Sequence, residues 1–141
     1  MLDPHTPEGE AQWLAEQRER VVAYLQAEEV AHGDVAGAPE LHMAPHLALW
    51  VVAGPADKAD WWVVSGDVPT DHVSSHRAPD PRAALRTFAK KWRTAASVMA
   101  TRDGDNADGV TEAQSKAASR NLFERAKMLW QLAEKDELWE G

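Results

Sequence analysis

Two short apolar runs place the strongest constraint on the fold of this chain. They are HLALWVVA (46–53) and DWWVVS (60–65), joined by GPADKA. Runs of this length, rich in Val, Leu and Trp and separated by Gly and Pro, are typical of a β-hairpin. Leu47 and Leu49 would point to one face and Trp50 to the other, so neither face carries the polar residues of a solvated sheet. We therefore predict a hairpin that is covered on both faces.

Helical signals flank this hairpin. Thr6-Pro7-Glu8 is a helix start and predicts a helix from about Pro7 to Ala31, before an aperiodic loop over 33–45. A third strand is expected over 71–75, a helix from Asp80-Pro81 to about Met99, and a last helix after a Thr111/Gln114 capping box. The expected buried stripes of these two helices are Leu85, Phe88, Trp92, Ala95 and Met99, then Leu122, Ala126, Leu129 and Ala133.

The element order α, β, β, β, α, α predicts an α+β fold. We expect a small three-stranded antiparallel meander packed with one N-terminal and two C-terminal helices. A length of 141 residues with 44% hydrophobic content suits a single domain over 1–141. The absence of cysteine excludes disulfides and thiolate metal sites. The start MLDPHTPEGE lacks signal-peptide features, and no stretch approaches the roughly 20 apolar residues that span a bilayer, so we expect a cytoplasmic protein without membrane contact.

Charge argues against nucleic acid as a partner. The net charge is −8, and phosphate attraction requires accessible positive charge. Basic residues are concentrated in 77–102, where seven stand against the single acid Asp80. Four of them, Arg82, Arg86, Lys90 and Arg93, follow helical spacing. A solvated or ion-paired helix face is the simpler interpretation of that stripe.

The segment RDGDNADGVTEAQ resembles a calcium-binding loop only superficially. With Asp103 at position 1, an EF-hand would need Gly at position 6 and Glu at position 12, where this chain has Asp108 and Gln114. An acidic helix connector is the better interpretation. The chain has no HExxH, phosphate-binding or dinucleotide motif, so no cofactor and no metal are expected in the leading interpretation.

One end of the predicted sheet gathers the residues with the most chemistry. In an antiparallel meander His46, Asp67, Asp71 and His72 should meet there, with His42 close. Imidazoles and carboxylates could hold zinc or supply an acid and a base. The same stretch also has a structural interpretation, because Gly66 permits a positive φ and Pro69 suits a turn into the third strand. Both interpretations remain open for this segment.

Tryptophan dominates the aromatic content, with seven Trp against two Phe and one Tyr. Trp61 and Trp62 should point to opposite faces of their strand, and Trp139 is too apolar for a loose terminus. Exposed indoles are common anchors for protein partners. The candidate binding residues are therefore Trp61, Trp62, Trp139 and the turn carboxylates Asp67 and Asp71.

The chain also resembles a known group of sequences. LALWVV, WWVVSGDVPTDHVSS, PRAALRTFAKKW and RAKMLWQLAEKDELWE together resemble an uncharacterised family of small acidic bacterial proteins with a WW-x-x-SGD-x-PTD signature and a DELW ending. The resemblance covers about residues 45–140. It implies a bacterial cytoplasmic protein and supplies no activity or catalytic residue to transfer.

Small size, acidity, many tryptophans and no complete catalytic motif favour a protein that is not an enzyme. The leading hypothesis is a protein–protein interaction module of the immunity or antitoxin kind. Its partner would be another bacterial protein or a second copy in a homodimer. The alternative hypothesis is a small metal-dependent hydrolase that uses His46, Asp67, Asp71 and His72.

Overall fold

The chain has an α+β fold, in which the described residues form three α-helices and a four-stranded antiparallel sheet. The computed structural model describes residues 3, 5–43, 46–55, 58–100 and 112–139. Its contacts divide the chain into two compact units, 1–84 and 85–141. Over the described ranges, no helix combines the length and the apolar character needed to cross a bilayer.

The first unit contains one long helix and the whole sheet. The elements are α1 (Pro7–Ala27), β1 (Leu41–Met43), β2 (Leu47–Val52), β3 (Trp61–Gly66) and β4 (Asp71–Ser74). The strands lie in the order β1-β2-β3-β4, and each pairs antiparallel with its neighbour. The three predicted strands are present at nearly the predicted bounds.

The fourth strand, β1, was not predicted. We expected a loop over 33–45, but Leu41, His42 and Met43 pair with Leu49, Ala48 and Leu47 at the edge of the sheet. Three residues between Pro39 and Pro45 are too few to show a period of two. The meander therefore has four strands rather than three.

Helix α1 begins as predicted and ends four residues early. The Thr6 hydroxyl accepts a hydrogen bond from the Gly9 amide at 3.1 Å, which caps the first turn. At the other end Glu29 adopts φ 56°, and the Val30 and Glu29 amides donate to the carbonyls of Leu25 and Gln26. This is a Schellman cap with a glutamate where glycine is usual.

The sheet is buried on both faces, as the apolar runs predicted. Trp50, Ala48 and Val63 lie on the face that packs against Val21 and Leu25 of α1. On the other face Leu47, Leu49, Val64 and Trp62 are also buried. Buried indoles are paired: Trp50 Nε1 donates to Ser65 Oγ at 3.2 Å, and Trp62 Nε1 to the Ala78 carbonyl at 2.8 Å.

The second unit is an antiparallel pair of helices. Helix α2 (Pro81–Ala100) begins in the first unit and continues into the second, and α3 (Glu112–Glu134) precedes a short 3₁₀ helix over Asp136–Leu138. Ser119 Oγ donates to the Ala96 carbonyl at 2.7 Å, and Arg86 bonds Glu134 at 3.0 Å near the other end of the pair. The connector 101–111, with the Thr111 cap and most of the calcium-like segment, lies outside the described residues.

The buried stripes of these helices largely follow the expected positions. Along α3 Ala126, Leu129 and Ala133 are buried, and Leu122 is half-buried. Along α2 Leu85, Phe88 and Trp92 are buried, but Ala95 is exposed and Ala96 is buried instead. Because a helix has 3.6 residues per turn, the residue that returns to the face of Leu85 after three turns is 11 positions later, at Ala96, rather than 10 positions later, at Ala95.

Candidate functional site

The candidate residues at the end of the sheet separate into two pairs. The first pair is His46 and Asp67, whose backbones join through a 2.9 Å hydrogen bond from the Asp67 amide to the His46 carbonyl. Both residues are exposed. Gly66, the residue before Asp67, has φ 122°, the positive φ that the sequence allowed for. A Cβ on this residue would lie 2.5 Å from the His46 carbonyl oxygen. The local geometry therefore requires glycine at this point.

The second pair, Asp71 and His72, meets a tyrosine that sequence reasoning missed. The Tyr24 hydroxyl lies 2.6 Å from His72 Nδ1 and 3.5 Å from Asp71 Oδ1. Asp71 Oδ1 also accepts the His72 amide at 2.8 Å. Burial, the negative charges of Asp71 and Glu28 and the hydrogen bond with Asp71 raise the pKa of Tyr24 well above its ordinary value of 10. The phenol is therefore neutral at physiological pH.

Aromatic rings enclose His72 from two sides. Its ring centroid lies 5.5 Å from that of Tyr24 and 5.2 Å from that of Trp61, both edge to face. Trp61 is half-buried, and its Nε1 donates to the Ala31 carbonyl at 3.1 Å. Trp61 also lines a cleft of about 610 Å³ beside Glu29, Val30, Ala31, Pro55, Lys58, Ala59, Ser74 and His76.

These pairs do not assemble into a metal centre. Within the ranges that the structure describes, no group of three or more His, Asp or Glu side chains could hold a metal ion. His42, which was expected nearby, faces Glu10 of α1, with 3.7 Å between Nδ1 and Oε1. The geometry instead gives a phenol–imidazole contact with one adjacent carboxylate.

Two of the predicted tryptophan anchors are engaged inside the fold. Trp62 is buried, and its N–H donates to the Ala78 carbonyl. Trp139 is half-buried and folds back onto the end of α3, where its Nε1 donates to the Leu132 carbonyl at 3.2 Å. Such indoles offer little free surface to a partner.

Other large apolar side chains are exposed, on helix α3. Phe123 is 45% exposed and Trp130 is 38% exposed. Between them, α2 and α3 enclose a cavity of about 110 Å³. Its lining residues are Ala89, Lys90, Arg93, Phe123, Ala126, Lys127 and Trp130. We call this cavity, together with a second cavity that shares Phe123 with it, the α2–α3 groove.

The second cavity of the groove has a volume of about 360 Å³, and Phe123 lines both cavities. It is lined by Ala96, Ser97, Ala100, Lys116, Ser119, Arg120 and Phe123. Together the two cavities have five cationic side chains along their walls and no carboxylate among the lining residues that the structure describes. The groove is therefore lined by apolar and cationic side chains, with Ser97 and Ser119 in its second cavity.

The sequence resembles a protein family over most of its length. A family model described as a domain of unknown function (DUF4826) matches residues 8–139. The chain belongs to this family. The match covers nearly the entire sequence and confirms the expectation of an uncharacterised family. No curated protein and no solved structure matched the chain.

The spacing of two aromatic residues in the sequence is a signal for the groove that our sequence predictions did not include. Phe123 and Trp130 are seven residues apart, so they lie on one helical stripe with Lys127 between them. This stripe is offset by one residue from the predicted buried stripe of Leu122, Ala126, Leu129 and Ala133. Aromatic residues beside a buried stripe are enriched at contact surfaces between proteins.

Proposed function

We propose that this member of the family is a non-enzymatic protein–protein interaction module of the immunity or antitoxin kind, acting on another bacterial protein in the cytoplasm. The single observation that carries the proposal is the exposure of Phe123 and Trp130 on one helix face. Aromatic side chains dominate the binding energy of protein interfaces, and grouped exposed apolar residues mark contact surfaces on soluble proteins.

The cavity that Phe123 and Trp130 both line is small. At about 110 Å³ it is smaller than the roughly 300–1,000 Å³ of sites for small-molecule ligands. A cavity of that size suits an apolar side chain inserted from another protein. The alternative, a metal-dependent hydrolase built on His46, Asp67, Asp71 and His72, has less support, because no metal-holding group is found among the described residues. Metal analysis of protein purified without chelator tests it.

Comparative affinity capture tests the proposal. The wild-type chain and a Phe123→Ser/Trp130→Ser variant are immobilised and exposed to lysate of the source organism, and retained proteins are identified by mass spectrometry. Val98→Ser is the matched control, because Val98 is 58% exposed on α2 but lines neither cavity of the groove. We expect a protein that wild type and the control retain and the double variant loses.

The captured protein is then purified and titrated against the same three chains. Direct binding that falls by tenfold or more only in the double variant supports the proposal. The proposal fails if no protein depends on Phe123 and Trp130 in capture and sedimentation shows a monomer at every concentration. A dimer that the double variant disrupts would make the partner a second copy of this chain.

A further inference from the structure

The partner chemistry follows from the charges around the α2–α3 groove, and this inference rests on the proposed function. We propose that the groove binds an acidic amphipathic helix of the partner protein, with its apolar face between Phe123 and Trp130 and its carboxylates against the cationic side chains of the groove. Binding of a helix in an apolar groove is a recurring mode of protein recognition.

The walls of the groove select for negative charge. Lys90, Arg93 and Lys127 line the first cavity, and Lys116 and Arg120 line the second. Among the described residues, Arg93 and Lys127 form no ion pair within the chain. Lys90 Nζ lies 6.0 Å from the Trp130 ring centroid, so its charge is held beside the aromatic wall. A segment with carboxylates on both sides of an apolar stripe complements this arrangement.

The chain's own acidity is concentrated elsewhere in the sequence. Residues 1–84 contain fourteen acidic and five basic residues, whereas residues 85–141 contain nine acidic and ten basic ones. The groove therefore belongs to a unit that is close to neutral and does not carry the net charge of −8. Glu134, at the C-terminal end of α3, accepts hydrogen bonds from Arg86.

The length of the groove suits a short helix. Its lining residues on α2 run from Ala89 to Ala100, which corresponds to about 16 Å along the helix axis. A third helix laid between α2 and α3 would cover this distance in about three turns. Its apolar residues at i, i+3, i+4 and i+7 would meet the aromatic walls.

Nucleic acid fits these observations less well. Its phosphates would be attracted by the same cations, but the first cavity is otherwise lined by the apolar residues Ala89, Phe123, Ala126 and Trp130. Duplex backbones present no apolar face to such a surface. Single-stranded bases could stack on Trp130, so an oligonucleotide is included as a separate arm of the test.

The test uses synthetic helical peptides of about three turns and the full-length chain. One peptide carries Leu and Phe on one face and Glu elsewhere, the second replaces every Glu with Gln, and the third replaces every Glu with Lys. A dye on each peptide reports binding by fluorescence anisotropy. We expect the Glu peptide to bind at least about tenfold more tightly than the Gln peptide, with the difference shrinking as salt rises.

Charge reversal then locates the binding site. Lys127→Glu and Arg93→Glu should each remove most of the preference for Glu over Gln, and Trp130→Ser should weaken all peptides about tenfold or more. Lys135→Glu is the matched control, since Lys135 is exposed just beyond α3 and lines neither cavity. Circular dichroism of each variant verifies that the helices remain folded.

The outcomes separate this inference from the proposed function. Equal binding of the three peptides, no binding of the Glu peptide up to about 1 mM, or tighter binding of a single-stranded oligonucleotide at Trp130 overturns the acidic-helix assignment. If a captured partner still depends on Phe123 and Trp130 but binds through a neutral or basic segment, the interaction function stands and only the partner chemistry is wrong. A homodimer that depends on Trp130 also overturns the acidic-helix assignment.

Discussion

The hydroxyl of Tyr24, on helix α1, lies 2.6 Å from Nδ1 of His72 on β4, the last strand of the sheet. This contact joins α1 to the edge strand β4. Because Tyr24 is the only tyrosine in the chain, its ionisation can be followed without interference from a second phenol. Burial, followed by the charge of Asp71, holds the proton on this phenol in the folded state.

Tyr24 should make the chain sensitive to alkaline pH. A group whose pKa is raised by folding contributes stability that is complete below the unfolded pKa, about 10, and is lost as pH rises from there through the folded pKa. We expect the free energy of unfolding in urea to fall above about pH 10, and Tyr24→Phe to reduce that slope. Equal slopes in wild type and Tyr24→Phe contradict the prediction. Titration of tyrosinate absorbance in native and urea-unfolded protein gives the same comparison directly.

Glu29→Gly should stabilise the protein. Glu29 has φ 56°, a left-handed conformation that costs a residue with a Cβ roughly 1 kcal/mol relative to glycine. Glu28, one residue earlier, has φ −84°, so Glu28→Gly is the matched control and should lose about 0.5–1 kcal/mol. Thermal and urea unfolding of both variants should therefore move in opposite directions. A loss of stability in Glu29→Gly would show that its side chain contributes more than the strain costs.

Gly66→Ala should destabilise the hairpin. The new Cβ would lie 2.5 Å from the His46 carbonyl oxygen, and φ is 122° at this residue, so we expect a loss of about 1–3 kcal/mol. Gly37→Ala is the control, because nothing lies within 4 Å of its added Cβ. Urea midpoints of the two variants measure the difference. Equal midpoints would mean that the backbone at Gly66 can move away from the His46 carbonyl without loss of stability.

Ser65→Ala should reveal the importance of the buried indole hydrogen bond. The substitution leaves Trp50 Nε1 without its acceptor in a fully buried position, which typically costs about 1–3 kcal/mol. Ser97→Ala, at an exposed position on α2, should be nearly neutral. The difference between their free energies of unfolding measures the contribution of the bond, and similar values for both would show that Trp50 finds another acceptor.

The sequence predicted the strands of the hairpin well and the ends of other elements less well. Leu47–Val52 and Trp61–Gly66 carry strong β preferences and clear Gly and Pro boundaries, so their bounds were nearly correct. Helix α1 was expected to reach Ala31, because glycine is the usual stop signal and the next glycine after Gly9 is Gly33. The left-handed residue is Glu29, which has no such signature.

The candidate site was predicted in part. Adjacency of His46 to Asp67, and placement of Asp71 on the neighbouring strand, follow from antiparallel pairing alone. The partner of His72 could not be found that way, because Tyr24 is 48 residues distant in sequence and its position depends on how α1 crosses the sheet. The α2–α3 groove likewise depends on which faces the two helices turn toward each other.

The close approach of β3 to the His46 carbonyl also bears on how this family can diversify. An added methyl group is excluded at Gly66, whereas Gly37 has open space around it. Other members of the family should therefore keep glycine at the first position regardless of what they bind, and should vary at the second. Residues that set partner choice would instead change together from one lineage to another, so sequence variation alone would distinguish the demands of the fold from those of recognition.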